Sequence, residues 1–546
     1  MTKALLGQMM DSPLLISNIL SSAARHHSHL EIVSRRSEGD IHRYTVVDLQ
    51  IRAKKLAQAL ERLQLHVGSR IGTLAWNGYR HLEIYYGVSG SGLVCHTINP
   101  RLFPEQIAYI IQHAEDEIVF FDLSFQTLVE GLIPLCPKVK KWICLIDEAL
   151  MPKNVMGIDN YESFIAHESG KYEWPIFDEN WASSLCYTSG TTGNPKGALY
   201  SHRSTVLHSY ASALPDSLSL SATDVILPVV PMFHVNAWGL PYSSLLVGAK
   251  LVLPGAKLDG PSIYELLEAE KVTFSAGVPT IWAGLIQFVQ SQSFNFSSFK
   301  RVVIGGSACP PAMMKTFQEY GVEVIHAWGM TELSPIGTVA KLKASDLSKN
   351  IHDQELILQK QGRIIFGVDM RIVDGDLHEL AQDGKAFGDL QVKGPWVIQQ
   401  YFKATESALI NGWFPTGDVS NIDPDGHMQI TDRSKDVIKS GGEWISSIDL
   451  ENVAAGHPSV MMAACISVAH PKWDERPLLV IEKKPDVQLS DAALKADILK
   501  FFIDKVAKWW IPDDVVFVDK IPLTATGKMQ KLKLREQFKN HQLPYL

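Results

Sequence analysis

The stretch Tyr187-Thr-Ser-Gly-Thr-Thr-Gly-Asn-Pro-Lys-Gly197 combines three glycines, four Ser or Thr hydroxyls and one lysine. Glycines let backbone N–H groups come close to an anion, while the hydroxyls and Lys196 add donors and positive charge. The run just before it, Ser183-Ser-Leu-Cys-Tyr187, is typical of a β-strand. The sequence therefore predicts a strand followed by a loop that holds a polyphosphate.

The spacing of this loop differs from that of the P-loop proteins. Those need four residues between two glycines, followed by Gly-Lys-Ser/Thr at the start of a helix. Here two residues separate Gly190 from Gly193, and Lys196 follows Pro195. A surface turn rich in Ser, Thr and Gly would have the same composition, so the loop alone leaves both interpretations open.

Length and composition narrow the class of protein. A chain of 546 residues suits about two to four domains or subdomains, and its 46% hydrophobic and 20% charged residues are those of ordinary globular proteins. The net charge is −8, and no run of Lys or Arg predicts a positively charged surface for nucleic acid, so we expect no nucleic-acid partner. Six widely spaced cysteines without a Cys-x-x-Cys pair favour free thiols in a reducing compartment.

The N-terminus makes a poor signal peptide, because Asp11 and Asn18 interrupt its apolar stretch. No apolar run in the sequence approaches the ~18 residues of a membrane span. We expect a cytoplasmic protein, and the sequence leaves a reversible contact with the inner membrane face open.

Alternating helix-like and strand-like segments from about residue 45 to 330 indicate a layered α/β fold with largely parallel strands. Short β-prone runs from about 362 to 431 indicate a smaller β-rich subdomain. The tail has helices near 447–455 and 492–509 and strands near 463–468 and 514–518, enough for a small α+β domain. We predict an N-terminal domain over 1–431, a hinge linker over 432–437 and a mobile C-terminal domain over 438–546.

Four more motifs supply chemistry that a polyphosphate loop would need. Trp328-Gly-Met-Thr-Glu332 follows a predicted strand and offers a flat bed for a purine and a carboxylate for Mg²⁺. Trp413-Phe-Pro-Thr-Gly-Asp418 presents a carboxylate suited to a ribose diol. Lys439-Ser-Gly-Gly-Glu-Trp444 and Ile521-Pro-Leu-Thr-Ala-Thr-Gly-Lys528 each place a lysine beside a glycine turn. Taken singly, the 328–332 motif is equally explained by core packing, and a lysine at the position of Lys528 is more often a solvated surface residue.

In this order, the motifs resemble the ATP-dependent adenylate-forming superfamily of acyl-CoA synthetases, adenylation domains and luciferases, over nearly the whole chain. Three segments are most similar to bacterial fatty-acyl-CoA synthetases, including the medium-chain enzymes of alkane-degrading pseudomonads: Met232-Phe-His-Val-Asn-Ala-Trp-Gly239, Ser440-Gly-Gly-Glu-Trp-Ile-Ser446 and Lys472-Trp-Asp-Glu-Arg-Pro477. The resemblance implies a fatty acid:CoA ligase that uses ATP, CoA and Mg²⁺ and forms acyl-CoA, AMP and pyrophosphate through an acyl-adenylate. It also implies a possible homodimer formed through the N-terminal domain.

The resemblance assigns roles to residues at matching positions. Lys528, Glu332 and Thr188 are implied as catalytic, the last two as Mg²⁺ ligands. The implied ATP and AMP site comprises Thr188, Ser189, Gly190, Thr191, Thr192, Gly193, Lys196, Gly306, His326, Ala327, Trp328, Gly329, Thr331, Glu332, Asp418, Arg433, Lys435 and Lys528. The residues implied for CoA or the closed state are Lys439, Gly441, Gly442, Glu443 and Trp444.

The acyl pocket is implied at His234, Val235, Trp238, Gly305 and Gly306. Amino-acid-activating relatives place an Asp after the Phe of this motif to pair with the substrate ammonium, whereas this chain has His234. A plain carboxylic acid is therefore favoured, and the apolar wall suits an alkyl chain. Trp238 either closes the acyl tunnel or is a core residue.

The family usually has Tyr at the first position of the 328–332 motif, and the larger Trp328 could shorten the pocket and favour medium chains. Long-chain or other carboxylic acids remain the alternative substrates. A kinase, a luciferase-like oxygenase and a non-catalytic nucleotide-binding protein are the alternative classes of protein. The kinase is disfavoured because it needs a different phosphate motif and releases ADP.

Overall fold

The computed structural model describes residues 5, 7–152, 157–188, 194–440, 443–485, 487–524 and 529–544. The strands of these segments, in chain order, are β1 (Glu31–Arg35), β2 (Ile41–Thr45), β3 (Arg70–Leu74), β4 (Val94–Thr97), β5 (Asp116–Phe121), β6 (Lys141–Cys144), β7 (Ile158–Asn160), β8 (Ala182–Tyr187), β9 (Gly197–Ser201), β10 (Val225–Pro228), β11 (Lys250–Leu253), β12 (Phe274–Gly277), β13 (Arg301–Ile304), β14 (Glu323–Gly329), β15 (Ile336–Val339), β16 (Arg363–Ile364), β17 (Asp369–Val373), β18 (Phe387–Lys393), β19 (Phe414–Ile422), β20 (Met428–Arg433), β21 (Ile438–Ser440), β22 (Glu443–Ile445), β23 (Val460–His470), β24 (Asp474–Lys483) and β25 (Asp514–Val518).

The helices of the same segments are α1 (Ile16–His26), α2 (Val46–Glu61), α3 (Tyr79–Gly90), α4 (Pro104–Ala114), α5 (Gln126–Leu132), α6 (Tyr161–Ala166), α7 (His202–Ala213), α8 (Val235–Trp238), α9 (Leu240–Val247), α10 (Gly260–Ala269), α11 (Pro279–Ser291), α12 (Pro311–Glu319), α13 (Ile351–Gln359), α14 (Ser447–Ala455), α15 (Asp491–Phe501) and α16 (Lys531–Gln537). None of the helices within the described ranges has both the length and the apolar composition needed to cross a bilayer.

Two large sheets form the N-terminal part. One has the order β7-β6-β5-β3-β4-β8-β9, and the other has the order β16-β15-β14-β13-β12-β10-β11-β1-β2. The central strands of both are parallel, as the alternation of helices and strands predicts, while β8 and β9 form an antiparallel hairpin. The α/β class and its two-domain organisation are therefore confirmed.

Local sequence signals account for helix starts in the N-terminal part. Thr45 caps α2: its hydroxyl accepts from the Asp48 N–H, and the Asp48 carboxylate accepts from the Thr45 N–H at 2.9 Å. Pro104 occupies the first position of α4, where its missing N–H costs no helical hydrogen bond. One continuous apolar core runs from α1–α3 through both large sheets to the antiparallel sheet β17-β18-β19-β20.

The C-terminal part has a separate core around β21–β25, with α14 and α15 packed against it. Helix α14 and strand β25 have the predicted bounds. The predicted helix over 492–509 is wrong at its C-terminal end, because α15 stops at Phe501 and Asp504 takes a left-handed conformation with φ of 64°. A short 3-10 turn, Lys508–Trp510, follows.

Candidate active site

The hairpin β8–β9 carries the predicted phosphate loop. The Thr188 N–H donates to the Lys196 carbonyl at 2.9 Å, and the Lys196 N–H donates to the Thr188 hydroxyl at 3.3 Å, so the two residues close the base of the loop. The predicted strand before the loop is confirmed. Ser189, Gly190, Thr191, Thr192 and Gly193 lie outside the described residues.

Lys196 and Glu332 meet at a third side chain, Tyr401. The Lys196 ammonium lies 4.9 Å from the centre of the Tyr401 ring, and the Tyr401 hydroxyl donates to Glu332 Oε1 at 2.8 Å. Burial, together with the Glu332 charge, raises the pKa of Tyr401 above its usual value, so the hydroxyl keeps its proton and remains a donor. Glu332 is 7% exposed, and the hydrogen bond from Tyr401 to one of its two carboxylate oxygens fixes the orientation of the side chain.

A second group joins Trp328 at the end of β14 with Asp418 of β19 and Arg433 of β20. The Trp328 indole N–H donates to Asp418 Oδ2 at 3.0 Å, and Arg433 Nε lies 2.8 Å from Asp418 Oδ1. Asp418 and Arg433 face each other across the β19–β20 ladder, which explains their pairing. The Asp418 carboxylate is 1% exposed and is held from both sides.

The 326–332 segment lies at the end of β14, on the side of the sheet where the parallel strands have their carboxyl ends. The imidazole of His326 is already engaged, because Cys309 N–H donates to its Nε2 at 3.4 Å and its Nδ1 lies 2.9 Å from the Gln359 carbonyl. Burial lowers the pKa of His326 to about 4, so the ring is neutral near pH 7. Ala327 and Gly329 are among the last residues of β14, and Thr331, which follows the strand, is buried.

The predicted acyl pocket lies where strand β13 ends and helix α8 begins. A Cβ added to Gly305 would lie 2.8 Å from the Ala327 carbonyl oxygen and 3.3 Å from Cη2 of Trp238, so the indole rests against this glycine. Val235 is buried in an apolar cluster with Cys186, Ala198, Tyr200, Trp238 and Ile398. His234 precedes the turn and Gly306 has a φ of +80°.

Helix α8 is a left-handed turn. Val235, Asn236, Ala237 and Trp238 have φ of 45°, 50°, 49° and 57°, and Gly239 continues at 78°. Left-handed conformations are unfavourable for residues with a Cβ, least so for Asn. Val and Ala are poor choices for positive φ, so local propensity does not predict this turn.

The C-terminal residues of the predicted site follow strand β20. Ser434, Lys435 and Asp436 form the turn before β21, and Lys439 lies on β21, where its N–H donates to Glu475 at 2.8 Å. Gly441, Gly442 and Lys528 lie outside the described residues, as do the side chains of Glu443 and Trp444 on β22. Leu523 and Met529, which flank the predicted catalytic lysine, form an isolated antiparallel bridge.

Three further residues of this region are not among the predicted site residues: Tyr401, Asn236 and Lys531. Tyr401 lies in an irregular segment, Asn236 lies inside a motif that directed attention to Trp238, and Lys531 follows the lysine that resembled a catalytic one. Lys531 has a side chain that is 10% exposed and pairs with Glu451 at 2.7 Å. A buried lysine needs such a partner, but only the folded chain shows which carboxylate supplies it.

The parallel sheets, the hairpin loop and the carboxylates at their edges define the class of adenylate-forming enzymes. The chain belongs to the AMP-binding enzyme family, whose model matches residues 20–402, and the model of the AMP-binding enzyme C-terminal domain matches 449–528. It is an AMP-forming ligase that uses ATP to join a carboxylic acid to CoA.

Two relatives and one solved structure illustrate the likeness. The chain is 52% identical to a 3-methylmercaptopropionyl-CoA ligase of Ruegeria lacuscaerulensis, covering 98% of this chain and 99% of the relative. It is 50% identical to a medium-chain-fatty-acid–CoA ligase of Ectopseudomonas oleovorans, covering 98% of each. The fold matches the anthranilate CoA ligase AuaEII in complex with anthranoyl-AMP with a TM-score of 0.86, at 24% identity over 96% of this chain and 98% of that one.

Proposed function

We propose that the protein activates medium-chain fatty acids. The observation that carries this proposal is the Trp238 indole against Gly305, beside the apolar cluster of Val235. A wall of this kind favours an alkyl chain, and an indole across the pocket limits how far that chain extends. His234 stands where a substrate ammonium would need a carboxylate, which favours an uncharged tail.

The reaction needs no protein nucleophile. The acid carboxylate attacks the α-phosphorus of ATP and expels pyrophosphate, and the CoA thiolate then attacks the acyl carbonyl and expels AMP. The protein must therefore hold mutually repelling anions in line and neutralise charge as it develops. In our proposal the 188–197 loop holds the β- and γ-phosphates, and Lys528 bridges the substrate carboxylate and the α-phosphate.

The nucleoside end is assigned to the Trp328, Asp418 and Arg433 group. Asp418 accepts the ribose hydroxyls, Arg433 assists it, and the end of β14 forms a bed for the adenine. The engaged imidazole of His326 supports a contact through its backbone rather than its ring. Thr331, Ala327 and Gly306 contribute to the same wall.

Mg²⁺ is proposed at Glu332 and the Thr188 hydroxyl. Among the described residues no group of three His, Cys, Asp or Glu side chains gathers as a metal site. One carboxylate oriented by Tyr401 suits Mg²⁺, which is commonly held by one or two carboxylates together with substrate phosphates. When bound, the ion would offset phosphate charge, while Tyr401 keeps Glu332 oriented.

Domain alternation completes the proposal. We assign 1–431 to the N-terminal domain, 432–437 to the hinge and 438–546 to the C-terminal domain. One family match, over 20–402, lies within the first domain, and the other, over 449–528, lies within the second. Rotation about Lys435 would exchange Lys528 for the face carrying Lys439, Gly441, Gly442, Glu443 and Trp444, where CoA enters.

A second candidate substrate is a short sulfur-containing acid such as 3-methylmercaptopropionate. The observation that favours it is the 52% identity to the Ruegeria ligase named for that acid. A thioether is apolar and unbranched, so the same wall could accommodate it. We also propose, from the family likeness alone, a cytoplasmic protein of alkane degradation that forms a homodimer and touches the inner membrane face reversibly.

The deciding experiment measures pyrophosphate release with straight-chain acids from C2 to C18, 3-methylmercaptopropionate, aromatic acids and amino acids, with and without CoA. We expect the highest kcat/KM between C6 and C10, with AMP as the nucleotide product. A maximum at 3-methylmercaptopropionate would select the second candidate. Activation of amino acids, or release of ADP, would refute both.

A further inference from the structure

The left-handed turn at 235–239 is an unfavourable backbone conformation that surrounding groups must hold in place. Four consecutive residues with a Cβ have positive φ there, and only Asn236 belongs to a type that adopts this region readily. Such conformations persist where the environment over-determines them, and they concentrate at functional sites. Contacts from surrounding residues must therefore keep this turn in place.

The side chain of Asn236 makes the contacts that anchor the turn. It is 4% exposed, and its Nδ2 donates to the Ser184 hydroxyl at 3.0 Å. Its Oδ1 accepts from the Cys186 thiol at 3.4 Å and lies 3.3 Å from the Tyr85 hydroxyl, which also donates to the Met232 carbonyl. Burial raises the pKa of Cys186 to about 11, so the thiol keeps its proton and remains a donor.

These anchors connect two parts of the molecule. Ser184 and Cys186 lie on β8, the strand that runs into the phosphate loop. The other end of the turn is Trp238, whose indole rests on Gly305. The amide of Asn236 therefore links the strand before the nucleotide loop to the indole that bounds the acyl pocket.

We propose that Asn236 is a specificity-determining positioning residue, whose side-chain amide holds the left-handed turn and thereby sets how far Trp238 closes the acyl pocket. The inference rests on the proposed function, because it concerns which acids that pocket accepts. A released turn would let the indole move away from Gly305, so longer acids would gain relative to shorter ones. Nucleotide binding would change little, because the turn contacts the strand rather than the loop.

The test compares Asn236→Ala, Asn236→Gly and Ser184→Ala with the wild type and with Tyr86→Phe as matched control. Asn236→Gly keeps a residue that tolerates positive φ but removes the amide, so it separates the side chain from the backbone. Ser184→Ala removes a single hydroxyl that Asn236 contacts. If the Asn236 variants do not fold, this variant tests whether the contact with β8 affects the preference among acids. Tyr86 is fully buried in the same core and donates to the Pro241 carbonyl at 2.9 Å, beyond the turn.

For each variant, kcat and KM are measured for C4 to C14 acids, 3-methylmercaptopropionate and ATP. We expect the ratio of kcat/KM for dodecanoate over hexanoate to rise about tenfold in both Asn236 variants and less in Ser184→Ala, since one or two methylenes are worth about that much in a pocket. The KM for ATP should stay within about twofold, and Tyr86→Phe should match the wild type.

Three results would overturn the proposal: a uniform fall of kcat/KM for all acids, a wild-type profile in Asn236→Gly, or a selective rise in the KM for ATP. If the wild type itself favours 3-methylmercaptopropionate, the medium-chain proposal fails. The role of Asn236 would still be judged, by whether its variants change the ranking among the acids that are accepted.

Discussion

The sharpest prediction concerns the Trp328 indole, which either holds the nucleotide site or shortens the acyl pocket. Its N–H donates at 3.0 Å to Asp418, a carboxylate that is 1% exposed, and its ring packs on Gly337, where an added Cβ would lie 2.5 Å from Cζ3. Neither of these two contacts is with Trp238 or Gly305. We therefore expect Trp328→Phe to disturb binding of the ribose before it disturbs the acid.

The magnitude follows from the bond that is lost. A hydrogen bond to a buried charged group contributes about 1.5–3 kcal/mol, and about 2 kcal/mol corresponds to roughly a thirtyfold change in affinity. The Arg433 contact at 2.8 Å remains and keeps Asp418 partly in place. We expect the KM for ATP and the Kd for AMP to rise about ten- to thirtyfold in Trp328→Phe, with the KM for octanoate changed less than threefold.

The matched control is Trp396→Phe. Trp396 is 4% exposed in the same core and donates its indole N–H to the Ile336 carbonyl at 3.2 Å, so the two variants lose the same kind of group. Initial rates give both KM values, and calorimetry with AMP gives the Kd. An unchanged KM for ATP together with a shifted chain-length profile would refute the argument and assign Trp328 to the acyl pocket. A wild-type profile in Trp328→Tyr would remove the pocket-length role.

Three further predictions follow from single residues. Gly305→Ala should raise the ratio of kcat/KM for decanoate over butyrate about tenfold, because its Cβ, 3.3 Å from Cη2 of Trp238, would displace the indole from the pocket; an unchanged ratio in the chain-length assay would contradict this. Lys528→Ala should lose ~10²–10³-fold in pyrophosphate release but retain thioester formation from a supplied acyl-adenylate, and equal loss in both assays would exclude this division of labour. Burial lowers the pKa of His208 to about 3, so the neutral ring contributes stability that is complete above about pH 6.5 and is lost as the pH falls. His208→Gln should therefore reduce the loss of unfolding free energy between pH 7 and pH 5 by roughly 2 kcal/mol. Urea titrations that give the same loss for the variant and the wild type would refute this.

The sequence predicts well those elements that local patterns determine. Strand β25 and helix α14 have the predicted bounds, because neighbouring residues determine both a short β-prone run and a helix that begins at a Ser cap. The order of the motifs likewise indicates the family, since several short signals together are specific even though each alone is weak. The order of the motifs along the chain does not show, however, how far apart their residues lie in the folded protein.

The pairs that build the site could not be predicted in this way. Trp328 and Asp418 are 90 residues apart, and no spacing rule links an indole on β14 to a carboxylate on β19. Tyr401, which orients Glu332 and lies under Lys196, belongs to no strand, helix or motif. The motif indicated which carboxylate would face the phosphates, and only the fold shows what holds it there.

The left-handed turn shows why specificity for the acid is harder to predict from sequence than the phosphate chemistry. Val235 and Ala237 disfavour positive φ, so local propensity predicts an ordinary turn, and tertiary contacts to Asn236 override it. The groups proposed for phosphate chemistry belong to motifs that recur across a superfamily and are legible in one sequence. The groups that set the acyl pocket are held by contacts between distant segments, so relatives that share every motif can still prefer different acids. In our proposal, substrate preference in this chain depends on how firmly β8 holds the turn that bears Trp238.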